Sequence, residues 1–386
     1  MSTNVQEPAT TDAETPQRNI AIKSIKLTNL LSFGPDSEPL ELGPLNVLIG
    51  ANGSGKSNFI ETLALLRAAA QGKYEEYIDE EGGADDWLWK GGSSSKAAIE
   101  LIVSLDDDAA DKQEFRYYTP FIRGQSGSLI MGDPVFERII TPGQLGSDRY
   151  STEHSEYSVI MADLKKFKEP VDHWLSSIVI YRDWDFGRKS DARKPRYNPR
   201  NFDYLEEDAS NLSVVLKNLL TTSRPFAASI AKYLKSIYED AHSVDVRIVP
   251  QGVQLIMNED EYFISVNRLS NGTLQWLALL TVLLHPIPPP LICLEEPELG
   301  LHPDIIPTLA KLLREASERT QLIVTTHSRD LVDAFTNTPD VVAVCEKEAG
   351  ATKMRRLPNR DELTAWLDKF SLGEMWSMNL LGGNRY

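Results

Sequence analysis

One stretch of eight residues, Gly50 to Ser57, has the composition of a phosphate-binding loop. It reads Gly-Ala-Asn-Gly-Ser-Gly-Lys-Ser and fits G-x-x-x-x-G-K-[ST] at every fixed position. Glycines let backbone N–H groups converge on an anion, and a helix beginning near Lys56 adds partial positive charge there. Lys56 can reach the β- and γ-phosphates of a nucleotide, and Ser57 can ligand Mg²⁺. The residues expected to contact ATP are Gly50, Asn52, Gly53, Ser54, Gly55, Lys56, Ser57 and Asn58.

Two adjacent carboxylates, Glu295 and Glu296, end an apolar run that begins at Leu291. An apolar strand in a parallel sheet carries such residues to the edge where ligands bind. Adjacent strand residues point to opposite faces, so the turn that follows must bring both side chains near the phosphates. We expect Glu295 to hold Mg²⁺ and Glu296 to orient or deprotonate the attacking water.

Two further polar groups stand at ends of apolar elements. Ser270 and Gly272 precede a long apolar helix, where a hydroxyl and backbone N–H groups form a second anion-binding cap. His327 follows an apolar strand and could sense the γ-phosphate charge. Lys56, Glu296 and His327 are therefore the expected catalytic residues, with Ser57 and Glu295 on the metal.

Positioning these groups requires strands and helices in alternation. Hydrophobic periodicity predicts a buried strand at 45–49 and a helix at 58–71. The last third alternates further, with helices expected at 272–284, 304–318 and 328–336 and strands at 291–295, 321–325 and 340–345. Such alternation is typical of a parallel sheet flanked by helices. The predicted class is α/β, a P-loop NTPase.

The middle of the chain is predicted to be less regular. Residues 75–92 are acidic and then rich in glycine and serine, which favours a solvated loop or insertion. Strands are expected at 97–105, 115–122, 135–140 and 178–181, helices within 203–240, and a hairpin at 244–257 followed by a strand near 262–266. Residues 1–19 are predicted to be a disordered tail.

Composition limits the class of protein. The 386 residues carry a formal net charge of −16, which disfavours indiscriminate nucleic-acid binding. The apolar runs are too short to cross a bilayer, and the start of the chain lacks the pattern of a secretory signal. Cys293 and Cys345 are flanked by apolar residues and are expected to be buried reduced thiols, which favours a cytoplasmic location.

Residues 181–201 are locally basic. Seven Arg and Lys residues stand against three Asp residues, with aromatic side chains between them. The segment could contact DNA or RNA, an acidic partner or the nucleotide itself, or it could be a salt-bridged loop.

Together these motifs resemble the ABC-type ATPase heads of the SMC, RecF and OLD group, and most closely its compact AAA-family members without a coiled coil. Gly50 to Ser57 resembles the Walker A loop, Leu269 to Gly272 the signature, Leu291 to Glu296 the Walker B strand and Pro297 to Pro303 the D-loop, while His327 resembles the switch histidine. Glu295 stands where such heads more often have Asp. Asn271 and Thr273 stand where the signature often has Gly and Gln. The Q-loop glutamine is unassigned, with Gln125 and Gln144 as candidates.

The resemblance implies a head at residues 20–345, in which a mixed-sheet lobe joins the parallel sheet. A helical and irregular insertion spans about 72–265, and a C-terminal segment, 346–386, packs on the head. It also implies a homodimer or higher oligomer, with ATP and Mg²⁺ between Lys56 and Ser57 of one head and Ser270 and Gly272 of the other. No nuclease motif is visible, so the expected output is regulation of a separate effector, such as a nuclease, in DNA maintenance or antiphage defence. A transporter's nucleotide-binding subunit and a nucleic-acid clamp are the alternatives.

Overall fold

The computed structural model describes residues 19–106, 112–125, 127–139, 168–196, 202–235, 238, 240–259 and 262–383. The predicted tail lies outside the described residues except for Asn19, which begins the first strand. Gln144 and the end of the basic segment, residues 197–201, also lie outside them.

Strands and helices follow one another along the chain in the order of their labels. The strands are β1 (Asn19–Thr28), β2 (Leu40–Glu41), β3 (Leu45–Ile49), β4 (Lys96–Asp106), β5 (Lys112–Arg123), β6 (Leu129–Met131), β7 (Val135–Ile139), β8 (Val179–Tyr181), β9 (Ser243–Val249), β10 (Gly252–Asn258), β11 (Phe263–Ser265), β12 (Leu291–Glu295), β13 (Gln321–Thr326), β14 (Val342–Glu348) and β15 (Ala351–Arg356). The helices are α1 (Lys56–Ala70), α2 (Tyr74–Glu80), α3 (Ala84–Trp87), α4 (168–176), α5 (Leu212–Thr222), α6 (Arg224–Leu234), α7 (Asn271–Leu283), α8 (Ile306–Ser317), α9 (Arg329–Asp333), α10 (Arg360–Leu367) and α11 (Leu372–Ser377).

The central sheet has the strand order β15-β14-β3-β13-β12-β8. Its pairings are parallel except for the β14–β15 hairpin. Strands β3 and β13 are buried along their whole length, as continuous apolar runs between two helical layers should be. The register sets Glu295 beside Thr325 and Thr326 beside Ile49. The predicted α/β class with a parallel sheet is therefore confirmed, and three motifs end at one sheet edge.

A second sheet, β2-β1-β4-β5-β6 with β7 on β5, forms the lobe beside the central sheet. Every pairing in it is antiparallel. Phe59, Ile60 and Leu63 of α1 share a buried apolar cluster with Ile22 and Ile99 of this sheet. The helix that follows the phosphate loop is thus fixed between the two sheets.

A helical lobe carries the start of α7. Leu216 of α5, Ile230 of α6 and Leu277 of α7 belong to one buried cluster, and Leu255 of β10 joins them. The small sheet β11-β10-β9 is antiparallel, as the predicted hairpin required. Ser223 caps α6 by accepting the Phe226 N–H at 3.3 Å.

The prediction of a solvated loop or insertion at 75–92 is wrong, as far as the loop is concerned, for most of residues 75–87. Helices α2 and α3 occupy it, with Tyr74, Ile78 and Trp87 buried. Tyr74 and Ile78 are four residues apart and face the core together, while the acidic residues between them lie on the exposed side. The acidic residues therefore belong to the exposed face of a short amphipathic helix.

The C-terminal residues are part of the central sheet. Strand β14 runs across the expected boundary at 345/346, and β15 pairs with it. Helix α11 begins with a capping box at Ser371 and Glu374 and is tied to α9 because the Gly373 N–H donates to Asp333 at 2.6 Å.

Cys293 and Cys345 are free, buried thiols in β12 and β14, as expected. Within the described ranges, the helices are all too short or too polar to cross a membrane.

Candidate functional site

The phosphate loop joins β3 to α1 through a left-handed turn. Gly55 has φ 110° and is the N-cap of α1. A Cβ at this position would lie 2.2 Å from Thr352 Oγ1 and would also be strained by the backbone angle, so glycine is required. Thr352, in β15, donates its hydroxyl to the Ser54 carbonyl at 2.8 Å. The C-terminal hairpin therefore supports the loop.

Lys56 is buried beneath the loop. Its Nζ donates to the carbonyls of Gly50, at 2.8 Å, and Ala51, at 3.2 Å. Burial lowers the pKa of Lys56, although Cys345 and the carboxylates of Glu296 and Glu295 oppose that shift. The ammonium thus points into the concave side of the loop, where phosphate oxygens would replace the two carbonyls.

The other loop residues vary in exposure. Asn52 and Gly53 are exposed, and Asn58 is half-buried on the first turn of α1. The Ser54 hydroxyl is buried and has no hydrogen-bond partner among the described residues. A buried hydroxyl without a partner is costly, so a ligand that accepts from it would stabilise the loop.

Ser57 and Glu295 meet across the sheet edge. The Ser57 hydroxyl donates to Glu295 Oε2 at 3.3 Å, and Glu295 Oε1 is buried without a partner in the described chain. Burial raises the pKa of Glu295, while the charge of Arg182 and the Ser57 hydrogen bond oppose this shift. Two hard oxygen donors, one of them unsatisfied, suit Mg²⁺, which usually completes its shell with water and substrate phosphates.

Mg²⁺ does not need a cluster of protein carboxylates here. Among the described residues no group of three or more His, Cys, Asp or Glu side chains could hold a metal. A hydroxyl and one carboxylate are what a nucleotide-borne magnesium requires from a protein. The residues present therefore fit this ion.

Glu296 is separated from Glu295 by a strained turn. Its φ is 45°, in the left-handed region, and its N–H donates to the Thr325 carbonyl at 3.0 Å. The turn sends the Glu296 carboxylate to within 3.4 Å of His327 Nε2. Such strain costs roughly 1–3 kcal/mol for a non-glycine residue, and it is concentrated at functional sites. Because of this turn, Glu295 contacts Ser57 while Glu296 contacts His327. A turn that places both neighbouring carboxylates in the site is what the sequence predicts.

His327 follows β13 and is partly buried. Burial lowers its pKa, the nearby charge of Lys56 acts in the same direction, and Glu296 opposes both. A pKa below the usual value leaves the imidazole neutral at pH 7. The structure thus brings Lys56, Ser57, Glu295, Glu296 and His327 together at one end of the sheet.

Glu298 is a buried carboxylate that the sequence did not single out. Its Oε1 accepts from the Thr326 hydroxyl and from the backbone N–H groups of His327 and Ser328, both at 3.2 Å. Burial raises the pKa of Glu298, and these hydrogen bonds oppose the shift. Glu298 therefore fixes the loop that carries His327. The sequence offered one indication of this role, because Glu298 stands three residues after Glu295 in the run Glu-Glu-Pro-Glu.

Replacing Glu298 by alanine should destabilise the protein by about 2–3 kcal/mol, because a hydroxyl and two N–H groups lose their buried acceptor. Urea unfolding measures the change. Glu318→Ala, at an exposed position 20 residues further along the chain, is the matched control. A loss below about 0.5 kcal/mol, the range of ordinary surface substitutions, would contradict this role.

Ser270 and Gly272 lie at the start of α7. The Ser270 hydroxyl caps the helix by accepting the Thr273 N–H at 3.0 Å. A Cβ on Gly272 would lie 2.7 Å from the Gly300 carbonyl, so the helix start packs closely on the loop after β12. In the part of the chain that the structure describes, these two residues contact their own helix start and that loop, and neither is hydrogen-bonded to the phosphate loop of the same chain.

The basic segment is largely used inside the protein. Arg182 pairs with Glu61 of α1 at 2.6 Å, and Arg196 pairs with Asp191 at 3.3 Å. Arg193 is buried, with 4% exposure. Of the aromatic rings expected to stack on bases, Tyr181 and Phe186 are buried, while Trp184 is half-buried and its indole N–H donates to the Glu207 carbonyl. Tyr197 lies outside the described residues.

Arg188, Lys189 and Lys194 are exposed in that segment, and Lys194 pairs with Asp191 at 2.6 Å. Three of the six basic residues described there form ion pairs, so the predicted salt-bridged loop accounts for half of its basic charge. Arg182 and Arg193 acquire internal roles that local sequence did not reveal.

The family described as "AAA domain, putative AbiEii toxin, Type IV TA system" matches residues 45–333. That span runs from the start of β3 to the end of α9. It includes the phosphate loop, Ser270, both carboxylates after β12 and His327. No curated protein matches the chain.

Several solved structures of Smc heads share the fold. An SmcHead bound to the C-winged helix domain of ScpA is 15% identical, with a TM-score of 0.54 over 89% of this chain and 99% of that one. An Smc head with an extended coiled coil, bound to the C-terminal domain of ScpA from Pyrococcus furiosus, is 13% identical, with a TM-score of 0.56 over 91% and 99% of the two chains. An Smc head with a coiled coil and joint from Pyrococcus yayanosii is 12% identical, with a TM-score of 0.50 over 91% and 99%. At these identities the likeness establishes the P-loop head fold.

Proposed function

The chain belongs to this AAA-domain family, and on that premise we propose that it is a Mg²⁺-dependent ATPase head that closes on ATP as a dimer. One observation carries the proposal: Lys56, Ser57, Glu295, Glu296 and His327 converge at one sheet edge with separate partners. Family membership supports ATPase activity in general. The individual roles follow from the chemistry of each side chain.

Each residue has a distinct task in this proposal. Lys56 exchanges its two carbonyl acceptors for β- and γ-phosphate oxygens. Ser57 and Glu295 hold Mg²⁺, which when bound neutralises charge between the phosphates. Glu296 orients the attacking water and accepts its proton, while His327 orients Glu296 through Nε2 and responds to the γ-phosphate.

The second anion cap at α7 supports the proposed dimer. Ser270 and the first N–H groups of α7 lie apart from the phosphate loop of their own chain and are suited to the γ-phosphate held by a second copy. Leu299, on the loop beside this helix start, is 60% exposed, as an interface residue in the free head would be. ATP would thus favour closure and hydrolysis would release it.

We further propose that the dimer regulates a separate effector, such as a nuclease, in DNA maintenance or antiphage defence. The described motifs account for ATP chemistry alone, so a downstream activity would come from a partner. The family's description refers to a toxin–antitoxin system, which supports a role with a partner protein. Pull-down with the Glu296→Gln protein in ATP, followed by mass spectrometry, tests this; recovery of a membrane permease would favour the transporter alternative instead.

Removal of Mg²⁺ is expected to abolish turnover. EDTA should lower ATP hydrolysis about 100-fold or more, and excess Mg²⁺ should restore it, because the ion stabilises transition-state charge. Glu295→Gln should raise the Mg²⁺ concentration needed for half-maximal rate, since Glu295 loses its charge at the metal. Phosphate-release assays over a Mg²⁺ series measure both effects. Turnover that EDTA leaves unchanged would contradict the proposal.

A further inference from the structure

Arg193 is a buried cation between two parts of the site. It ends a short 3-10 turn, Asp191–Arg193, in the segment that leads from β8 toward α5. Only 4% of the residue is exposed. A buried arginine is unusual unless its hydrogen-bonding capacity and charge are used.

The guanidinium makes four hydrogen bonds, three of them to the segment that leads into α7. Its Nε donates to the Phe186 carbonyl at 3.0 Å. Its Nη1 donates to the carbonyls of Leu269, at 3.0 Å, and Val266. Its Nη2 donates to Asn271 Oδ1 at 2.9 Å. Two of the four acceptors, on Leu269 and Asn271, therefore flank Ser270, the residue that caps the helix, and a third lies four residues before it.

The charge of Arg193 is not matched by these acceptors. All four are neutral carbonyl or amide oxygens, while a guanidinium stays protonated in proteins. The start of α7 already carries partial positive charge from its unpaired N–H groups. Burial lowers the pKa of Arg193 and the charge of Arg188 acts in the same direction, while the carboxylate of Asp185 opposes both. Positive charge therefore accumulates at this helix start, where an anion would relieve it.

The same segment is anchored to the phosphate-loop side of the head at its other end. Arg182, directly after β8, pairs with Glu61 of α1, and Glu61 also accepts from the Tyr77 hydroxyl. Residues 182–193 thus run from the helix of the phosphate loop to the start of α7.

We propose that Arg193 is a positioning residue for phosphate binding across the dimer. It holds the Leu269–Asn271 loop so that the Ser270 hydroxyl and the first N–H groups of α7 face the ATP of the second copy, and it adds positive charge there. This inference rests on the proposed function, because it requires a head that closes on ATP. It assigns Arg193 a role in trans, with none in nucleotide binding by its own chain.

The first test uses the Glu296→Gln protein, in which ATP-bound dimers should accumulate. Adding Arg193→Gln should weaken the ATP-dependent dimer about tenfold or more, while affinity of the monomer for a fluorescent ATP analogue stays within about twofold. Lys189→Gln, at an exposed lysine in the same segment, is the matched control and should change neither quantity. Sedimentation velocity gives the dimer constant, and fluorescence anisotropy gives nucleotide affinity.

Gentler variants keep the test decisive if Arg193→Gln does not fold. Arg193→Lys retains the charge but loses the planar fork, so the dimer should weaken less than with Gln. Asn271→Ala removes one acceptor at an exposed side chain and should weaken the dimer about threefold. Melting temperature is recorded for each variant.

Mixing two variants separates action in trans from local damage. Lys56→Ala protein mixed with Arg193→Gln/Glu296→Gln protein leaves one complete site, made from an intact phosphate loop and the other chain's intact signature. Lys56→Ala/Arg193→Gln protein mixed with Glu296→Gln protein leaves none. The first mixture should form ATP-dependent heterodimers and the second should not.

The outcomes are distinguishable. An unchanged dimer constant in all three single variants would overturn the inference, as would a parallel loss of monomer nucleotide affinity or equal behaviour of the two mixtures. If the Glu296→Gln protein itself binds ATP but never dimerises, the proposed function fails, whatever the Arg193 variants do.

Discussion

Lys56→Ala should lose ATP affinity about 100-fold and hydrolyse ATP at the background rate. The ammonium is buried under the loop and donates to two loop carbonyls, so no other side chain can take its place against the phosphates. Removing a charge-assisted contact of this kind costs about 3 kcal/mol of binding free energy. Turnover falls further because Lys56 no longer stabilises the charge that develops in the transition state. Fluorescent-nucleotide titration and phosphate release measure the two effects.

Folding must be separated from binding in that experiment. Lys73→Ala removes an exposed lysine just after α1 and should leave affinity and turnover unchanged. The Lys56→Ala protein should unfold no more easily than the parent, because burial already disfavours its charge. Wild-type ATP affinity in a folded Lys56→Ala protein would contradict the role of Lys56 and its loop in nucleotide binding.

Glu296→Gln should bind ATP normally and hydrolyse it about 100-fold more slowly or worse. The amide keeps the size of the side chain and the left-handed turn, whose N–H bonds to Thr325 belong to the backbone. It cannot accept a proton from water, and general base catalysis typically contributes 10²–10⁴-fold. Single-turnover hydrolysis with saturating ATP isolates this step from binding.

Two comparisons sharpen the Glu296 result. Glu318→Gln, at an exposed position, should retain full turnover. Glu295→Gln should respond to added Mg²⁺, whereas Glu296→Gln should not, because the two carboxylates have different partners in Ser57 and His327. Full turnover by the Glu296→Gln protein would show that Glu296 is not the general base.

Sequence was sufficient for the parts of the site that are contiguous. The phosphate loop is one unbroken motif between an apolar strand and a helix, and Glu295, Glu296 and His327 follow apolar strands directly. Parallel strands expose their carboxyl ends at one edge, so these residues had to converge. The central helices and strands could be placed to within a few residues because their apolar periods are strong.

The supporting residues could not be predicted, because their partners are distant in the chain. Arg193 contacts residues 73 to 78 positions away, and Arg182 pairs across 121 positions. Local composition showed only a basic segment, which suggested DNA as readily as an internal role. Thr352 supports the phosphate loop from 298 positions away. Glu298 could not be predicted because its three hydrogen-bond donors lie at and after the end of β13, about 30 positions further along the chain.

The molar mass of the Glu296→Gln protein by light scattering, with and without Mg²⁺ and ATP, decides whether the head closes on ATP. We predict the mass of one 386-residue chain without nucleotide and of two chains with ATP, and a single chain in both conditions once Lys56→Ala is added. A Glu296→Gln protein that binds ATP and remains a monomer, or that is dimeric regardless of nucleotide, would contradict a head that closes on ATP.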